Sequence, residues 1–267
     1  MCESYYTGSL TPNSGSGGSV TVDSALSATS ENPVQNKVIT VALSNKQDTD
    51  PNEIPAGTVI EGKFSDLPTF FAGLEGKYCN GTVTYKITED ETLTNLVQTQ
   101  IKVPMNIIID GNNKTITNNI TLDYKGVSFS FTENGNFSSL RIMNVNFVGQ
   151  GKTSTYMLQG ISFLYPNNGV YVENCTFSNF SFAGINTTSA NVNCDDCAFS
   201  NSTEGFYSSR GSNNLCINSS FNNITRAFSI EKGSIVRSYN NTYTTVGTTY
   251  NTFNDSKTIG TLYIYNG

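Results

Sequence analysis

Residues 194–197 read Cys-Asp-Asp-Cys, and two thiols at this spacing suit redox chemistry or a zinc ion. Cys175 and Cys216 lie about equally far on either side, so a four-thiolate zinc site is conceivable. Carboxylates cluster in the same stretch. Glu173, Asp195, Asp196 and Glu204 are candidates for the acid pair of a glycoside-cleaving enzyme. A polysaccharide lyase would add calcium-binding acids and a basic residue, and Arg210, Arg226 and Arg237 show no clear partnership with acids. The chain has no histidine and no tryptophan, which removes imidazole bases, histidine-based triads and mixed Cys/His zinc sites. No residue is therefore assigned a catalytic, cofactor-binding or metal-binding role, and no cofactor is expected.

What positions these residues is a repeat. Phe177, Phe199, Phe221 and Tyr243 follow one another at a constant interval of about 22 residues. Two residues beyond the first three lie Asn179, Asn201 and Asn223, and six beyond lie Ala183, Gly205 and Ala227. Seven before come Val170, Val192, Asn214 and Val236, and five before come Val172, Cys194, Cys216 and Ser238. Leu140, Ile142, Val145 and Phe147 form an earlier copy, separated by an excursion around 149–160.

A period of this length with alternating apolar positions predicts a mostly β fold, a right-handed parallel β-helix over 79–267. Each turn lays its strands on those of the previous turn, so equivalent residues stack. The aromatics should form one interior stack and the asparagines a hydrogen-bonded ladder at a bend. The small column is expected where the chain turns most tightly. In this register Cys194 shares a column with Val172 and Cys216, and Cys197 with Cys175, so core filling is the plainer account of the CxxC. Asp196 falls in the column of Asn174, Asn218 and Asn240 and reads as a turn residue. A leucine-rich repeat would need a dense leucine pattern that is absent.

Bulk composition narrows the partners. Charged residues are 13% of the 267, the net charge is −6, and the pI is about 4.7, against a nucleic-acid partner. No apolar run of membrane-spanning length occurs, so no membrane association is expected. The first residues lack the pattern of a secretory signal, which predicts folding in a reducing cytosol with thiols rather than disulfides. Tyr171 and Tyr207 are candidates for outer-face stacking on sugars, or for packing between neighbouring chains.

The front of the chain differs. Residues 1–19, ending in "NSGSGGS", form a peptide on a flexible linker, in which Tyr5 and Tyr6 mark either a docking peptide or a frayed terminus. Within 20–46, Asn32 and Pro33 predict a helix start, and Val34, Val38 and Val41 share one face. Three turns are not stable alone. Trimerisation about an axis would bury the valines, and packing on the chain's own β-domain is the other reading. Residues 47–78, rich in proline, are expected to be an irregular neck.

The run Asn32-Pro33-Val34-Gln35-Asn36-Lys37-Val38-Ile39, closed by Ala42-Leu43, resembles a short module of bacteriophage fibre and minor structural proteins, including the small head-fibre family. It covers about twenty residues. "NIIIDGNNKTI" (106–116) resembles the opening coils of pectate lyase-like parallel β-helices, which implies fold and not activity. The first resemblance implies a homotrimeric virion fibre, made in the bacterial host cytoplasm and held on the capsid or another virion protein by its N-terminus. Its β-rich end would point outward toward host cell-surface carbohydrate. Extended repeats, a chaperone domain and a histidine-rich tip, features of long tail fibres, are missing, which favours a head fibre over a tail-fibre receptor-binding protein. A tailspike-like depolymerase is the rival expectation.

Overall fold

The structure is a computed structural model that describes residues 50–121, 127–131, 138–166, 169–253 and 260–265. Parallel strands stack coil on coil into a β-solenoid of about seven turns. A representative coil runs through Val170–Glu173, Thr176–Ser178 and Ala183–Thr188 before the next begins at Val192–Asp195. These three positions define faces A, B and C. All their neighbours are parallel and in register, for example Val172 beside Cys194 and Cys194 beside Cys216 on face A. On face A, Val83, Ile107, Leu140, Val170, Val192, Asn214, Val236 and Leu262 follow one another rung by rung. The 22-residue period holds from Val170 to Val236, and longer coils elsewhere raise the average to about 24.

Three corners per coil are turned by left-handed residues, which for most amino acids costs about 1–2 kcal/mol each. Between faces A and B these are Asn144, Asn174, Asp196, Asn218 and Asn240, with φ from 49° to 58°. Between B and C they are Asn179, Asn201, Asn223 and Thr245. Asn and Asp are favoured because their short polar side chains bond locally. Asn223 Nδ2 donates to Asn201 Oδ1 at 2.8 Å, and Asn174 Nδ2 to Asn144 Oδ1 at 2.7 Å. The asparagine column thus sits at a bend as its spacing predicts.

The aromatic column is one continuous stack. Ring centroids are 5.2 Å apart for Phe147–Phe177, 5.1 Å for Phe177–Phe199, 4.8 Å for Phe199–Phe221 and 5.4 Å for Phe221–Tyr243. Their planes lie within 13° of parallel. The four phenylalanines are fully buried. Each such offset pair contributes about 0.5–1.5 kcal/mol beyond its burial.

The small column has a different cause from the one expected. Register places Gly184 beside Gly205 and Gly205 beside Ala227, whereas Ala183 lies one residue off and neighbours Gln159 and Glu204. None of these glycines is left-handed; the tight turn belongs to the asparagines. Instead a Cβ on Gly205 would lie 2.5 Å from the Phe221 ring, and one on Gly184 would lie 2.9 Å from both Phe177 and Phe199. The phenylalanines of face B lean across onto face C, and only small residues leave room.

Within 47–78, the described residues are not an irregular neck. Val59–Gly62 is already a face A strand, paired in register with Thr82–Ile87. A 3-10 turn, Phe64–Asp66, leads into Leu67–Leu74, the one α-helix among the described residues. Pro68 sits in its first turn, where a missing N–H costs nothing. Leu67, Phe70, Phe71 and Leu74 recur at helical spacing and are all buried. The helix packs against Val97–Thr99, the first strand of face C, and Phe64 meets Phe147 edge-on at 5.7 Å. Together they cover the end of the core.

Replacing Phe199 by Ala opens a gap in the middle of the stack and is expected to cost about 3–5 kcal/mol. Urea unfolding followed by far-ultraviolet circular dichroism measures this.

Candidate functional site

Inward positions are filled by core, so chemistry belongs to what the coils hold outside it. Among the described residues five cysteines are free and buried. Cys194 and Cys216 are register neighbours in the apolar column that runs through Ile109, Ile142 and Val172. Cys175 and Cys197 share the A-to-B bend with Ser219 and Asn241, and that column performs one repeated task. Cys175 Sγ donates to Glu173 O at 3.3 Å, Cys197 Sγ to Asp195 O at 3.4 Å and Ser219 Oγ to Ile217 O at 2.8 Å. Ser219 Oγ accepts the Cys197 N–H, and Asn241 Oδ1 accepts the Ser219 N–H. Thiol, hydroxyl and amide are thus interchangeable here as partners for bend backbone.

Burial pushes the thiols of Cys175 and Cys194 well above the usual range. The neighbouring thiols of Cys175 and then Cys194 hold Cys197 lower. Among the described residues no group of three or more His, Cys, Asp or Glu is arranged to hold a metal.

The four candidate acids do not converge on one point, although two of them are neighbours. Asp196 is an exposed bend residue with φ 52°. Glu173 and Asp195 are register neighbours on face A. Arg141 Nη1 donates to Glu173 Oε2 at 2.7 Å, and Asn218 Nδ2 donates to Asp195 Oδ1 at 2.9 Å. Glu204 lies apart on face C, 1% exposed, and accepts from Arg226 Nη2 at 2.5 Å. Burial raises the Glu204 pKa; the charge and hydrogen bond of Arg226 oppose the rise. Arg226 and Glu204 occupy one column, a pairing visible in their spacing and missed because each was weighed alone.

Tyr207 and Tyr171 are both half-buried. Tyr207 packs against Phe182 with centroids 5.0 Å apart, and the Arg141 guanidinium lies 5.5 Å over the Tyr171 ring. Tyr5 and Tyr6 of the expected anchor, and Val34, Val38 and Val41 of the expected trimer seam, lie outside the described residues.

Face A carries an open groove. Its outward columns run Tyr171, Asn193, Leu215, Arg237, Tyr263 and, beside them, Glu173, Asp195, Ile217, Tyr239, Tyr265. The groove, of about 470 Å³, crosses three of these rungs, lined by Asn191, Asn193, Asn213, Leu215, Arg237 and Tyr239 among others. At its lower end Tyr239 and Tyr265 stack at 4.5 Å with planes 5° apart. Sequence spacing did not single out this groove, because outward residues are free of the repeat's demand for like on like.

No protein-family model matches the chain, and no curated protein matches it. One expectation follows from Glu204. Its proton is bound more tightly in the folded chain than in the unfolded one, so its contribution to stability is full below the ordinary glutamate pKa of about 4.3. That contribution is lost as pH rises through the folded pKa. Glu204→Gln should therefore flatten the decline of the melting temperature above about pH 4.3, as measured by thermal unfolding across pH.

Proposed function

We propose that this chain is a structural and adhesive virion protein, a homotrimeric phage fibre carried on the head. In this reading residues 1–19 hold the particle and 20–46 join three chains. The solenoid presents its outer faces to host-surface glycans. The observation that carries the reading is the module Asn32 to Ile39, followed directly by a stacked-coil domain. A β-solenoid suits the task because its core is repeated and its outer columns vary independently. Three copies also give avidity to a weak outer site.

A tailspike-like depolymerase is the second reading, favoured by one observation: Glu173 and Asp195 occupy adjacent rungs on face A. Carboxylates near 5 Å apart would suit a retaining glycosidase. Release of reducing ends from bacterial glycans, lost on Asp195→Asn, would favour it.

Light scattering of the purified chain at micromolar concentration should give three times its 28.9 kDa mass. A persistent monomer would overturn the fibre reading. Removal of residues 1–13 should keep the trimer and abolish attachment to the particle.

A further inference from the structure

We propose that the face A groove is a binding site for acidic oligosaccharides, with Arg237 holding the sugar carboxylate. The proposal deepens the adhesive part of the preceding reading and names the ligand class and its residues.

The groove's chemistry selects the class. Its floor is made of in-register rungs about 4.8 Å apart, so side chains of like position repeat along it. Asn191 and Asn193 contribute amides that bond to no described protein group, and Asn213 uses only its oxygen, accepting from Arg237 Nη1 at 2.5 Å. A primary amide both donates and accepts, as a sugar hydroxyl does, so paired amides on successive rungs match a chain of pyranose hydroxyls. Tyr239 adds a half-buried ring at the groove's lower end, held in place by its stack on Tyr265. A ring fixed in this way offers its edge and hydroxyl to a sugar at little further cost in side-chain entropy.

The charge selects within the class. Arg237 is half-buried and makes no ion pair among the described residues; its bond there is to the neutral Asn213. The other arginine on this face, Arg141, is already matched by Glu173. Asp195 stands two rungs from Arg237, on the neighbouring column, and accepts from Asn218. The lower groove therefore presents one uncompensated guanidinium among neutral asparagine amides, the aliphatic side chains of Leu215 and Ile217 and the ring of Tyr239. A guanidinium grips a carboxylate through two parallel hydrogen bonds, and a neutral sugar cannot return that interaction. A protein partner is the less suitable occupant, because the groove's apolar lining comes to Leu215, Ile217 and Tyr239, short of the large apolar centre on which such interfaces depend.

The test is calorimetric titration of the full chain with uronate oligosaccharides (galacturonan, alginate and hyaluronan fragments) and with neutral cello- and malto-oligosaccharides. Binding of at least one acidic probe is expected, at least tenfold tighter than any neutral one. Arg237→Ala should weaken it at least tenfold, and Asn193→Ala should weaken acidic and neutral probes alike. Circular dichroism melts establish that both variants fold. Absence of binding to every acidic probe, or binding untouched by Arg237→Ala, would overturn the proposal. So would a change of oligomeric mass in Arg237→Ala, since the face would then be a contact between copies. None of these failures alters the trimer measured by light scattering on the unmodified chain, so the fibre reading is judged separately.

Discussion

Stacking in register is the constraint from which the rest of this structure follows. A parallel rung bonds its backbone to the rungs above and below, and each residue meets its equivalent one coil away. Whatever one position demands, its whole column must tolerate. An aromatic interior is favourable because flat rings repeat at nearly the strand spacing, as the centroid separations of about 5 Å show. Left-handed corners are affordable when their side chains bond along the column, as Asn223 does to Asn201. At the corner from face C to face A the same conformation falls to Tyr165, Ser189, Arg210 and Lys232, so neighbouring coils can hold a corner residue of quite different chemistry.

Stacking also leaves two open ends, each exposing unpaired backbone and core. The first is covered by the chain itself, through Leu67–Leu74 and Phe64. At the other, Thr261–Tyr265 completes face A with Tyr263, Ile264 and Tyr265 between 41% and 48% exposed. Function is then left to the outer columns, where register imposes spacing but not identity. The same geometry that fixes Phe199 between Phe177 and Phe221 leaves Asn193, Leu215 and Arg237 free to differ while standing one above another.

The legible parts of the sequence were those where coil length is constant. Between Val170 and Val236 each column can be read by counting, and the aromatic, asparagine and cysteine columns fall where the count places them. Earlier coils carry insertions, which hid Val59–Gly62 as the first strand and made 47–78 look irregular. The prolines of that stretch suggested irregularity although helices accept proline in the first turn, as at Pro68, and the spacing of Leu67, Phe70, Phe71 and Leu74 was the available signal. The small column was visible but its reason was not, since only coordinates show phenylalanine rings crossing from one face to another. The groove on face A had no periodic signature to find.

The claim beneath all of this is that successive coils stack in one fixed register, and paired cysteines read that register directly. Ser200 and Asn222 are rung neighbours on the outside of face B, while Ser200 and Thr244 are two rungs apart. Rung neighbours about 4.8 Å apart lie within disulfide reach, and a separation of about 9.6 Å does not. Mild oxidation of the folded chain should therefore cross-link Ser200→Cys with Asn222→Cys and leave Ser200→Cys with Thr244→Cys open. Cross-linking of the second pair in preference to the first would contradict the stacked-coil account.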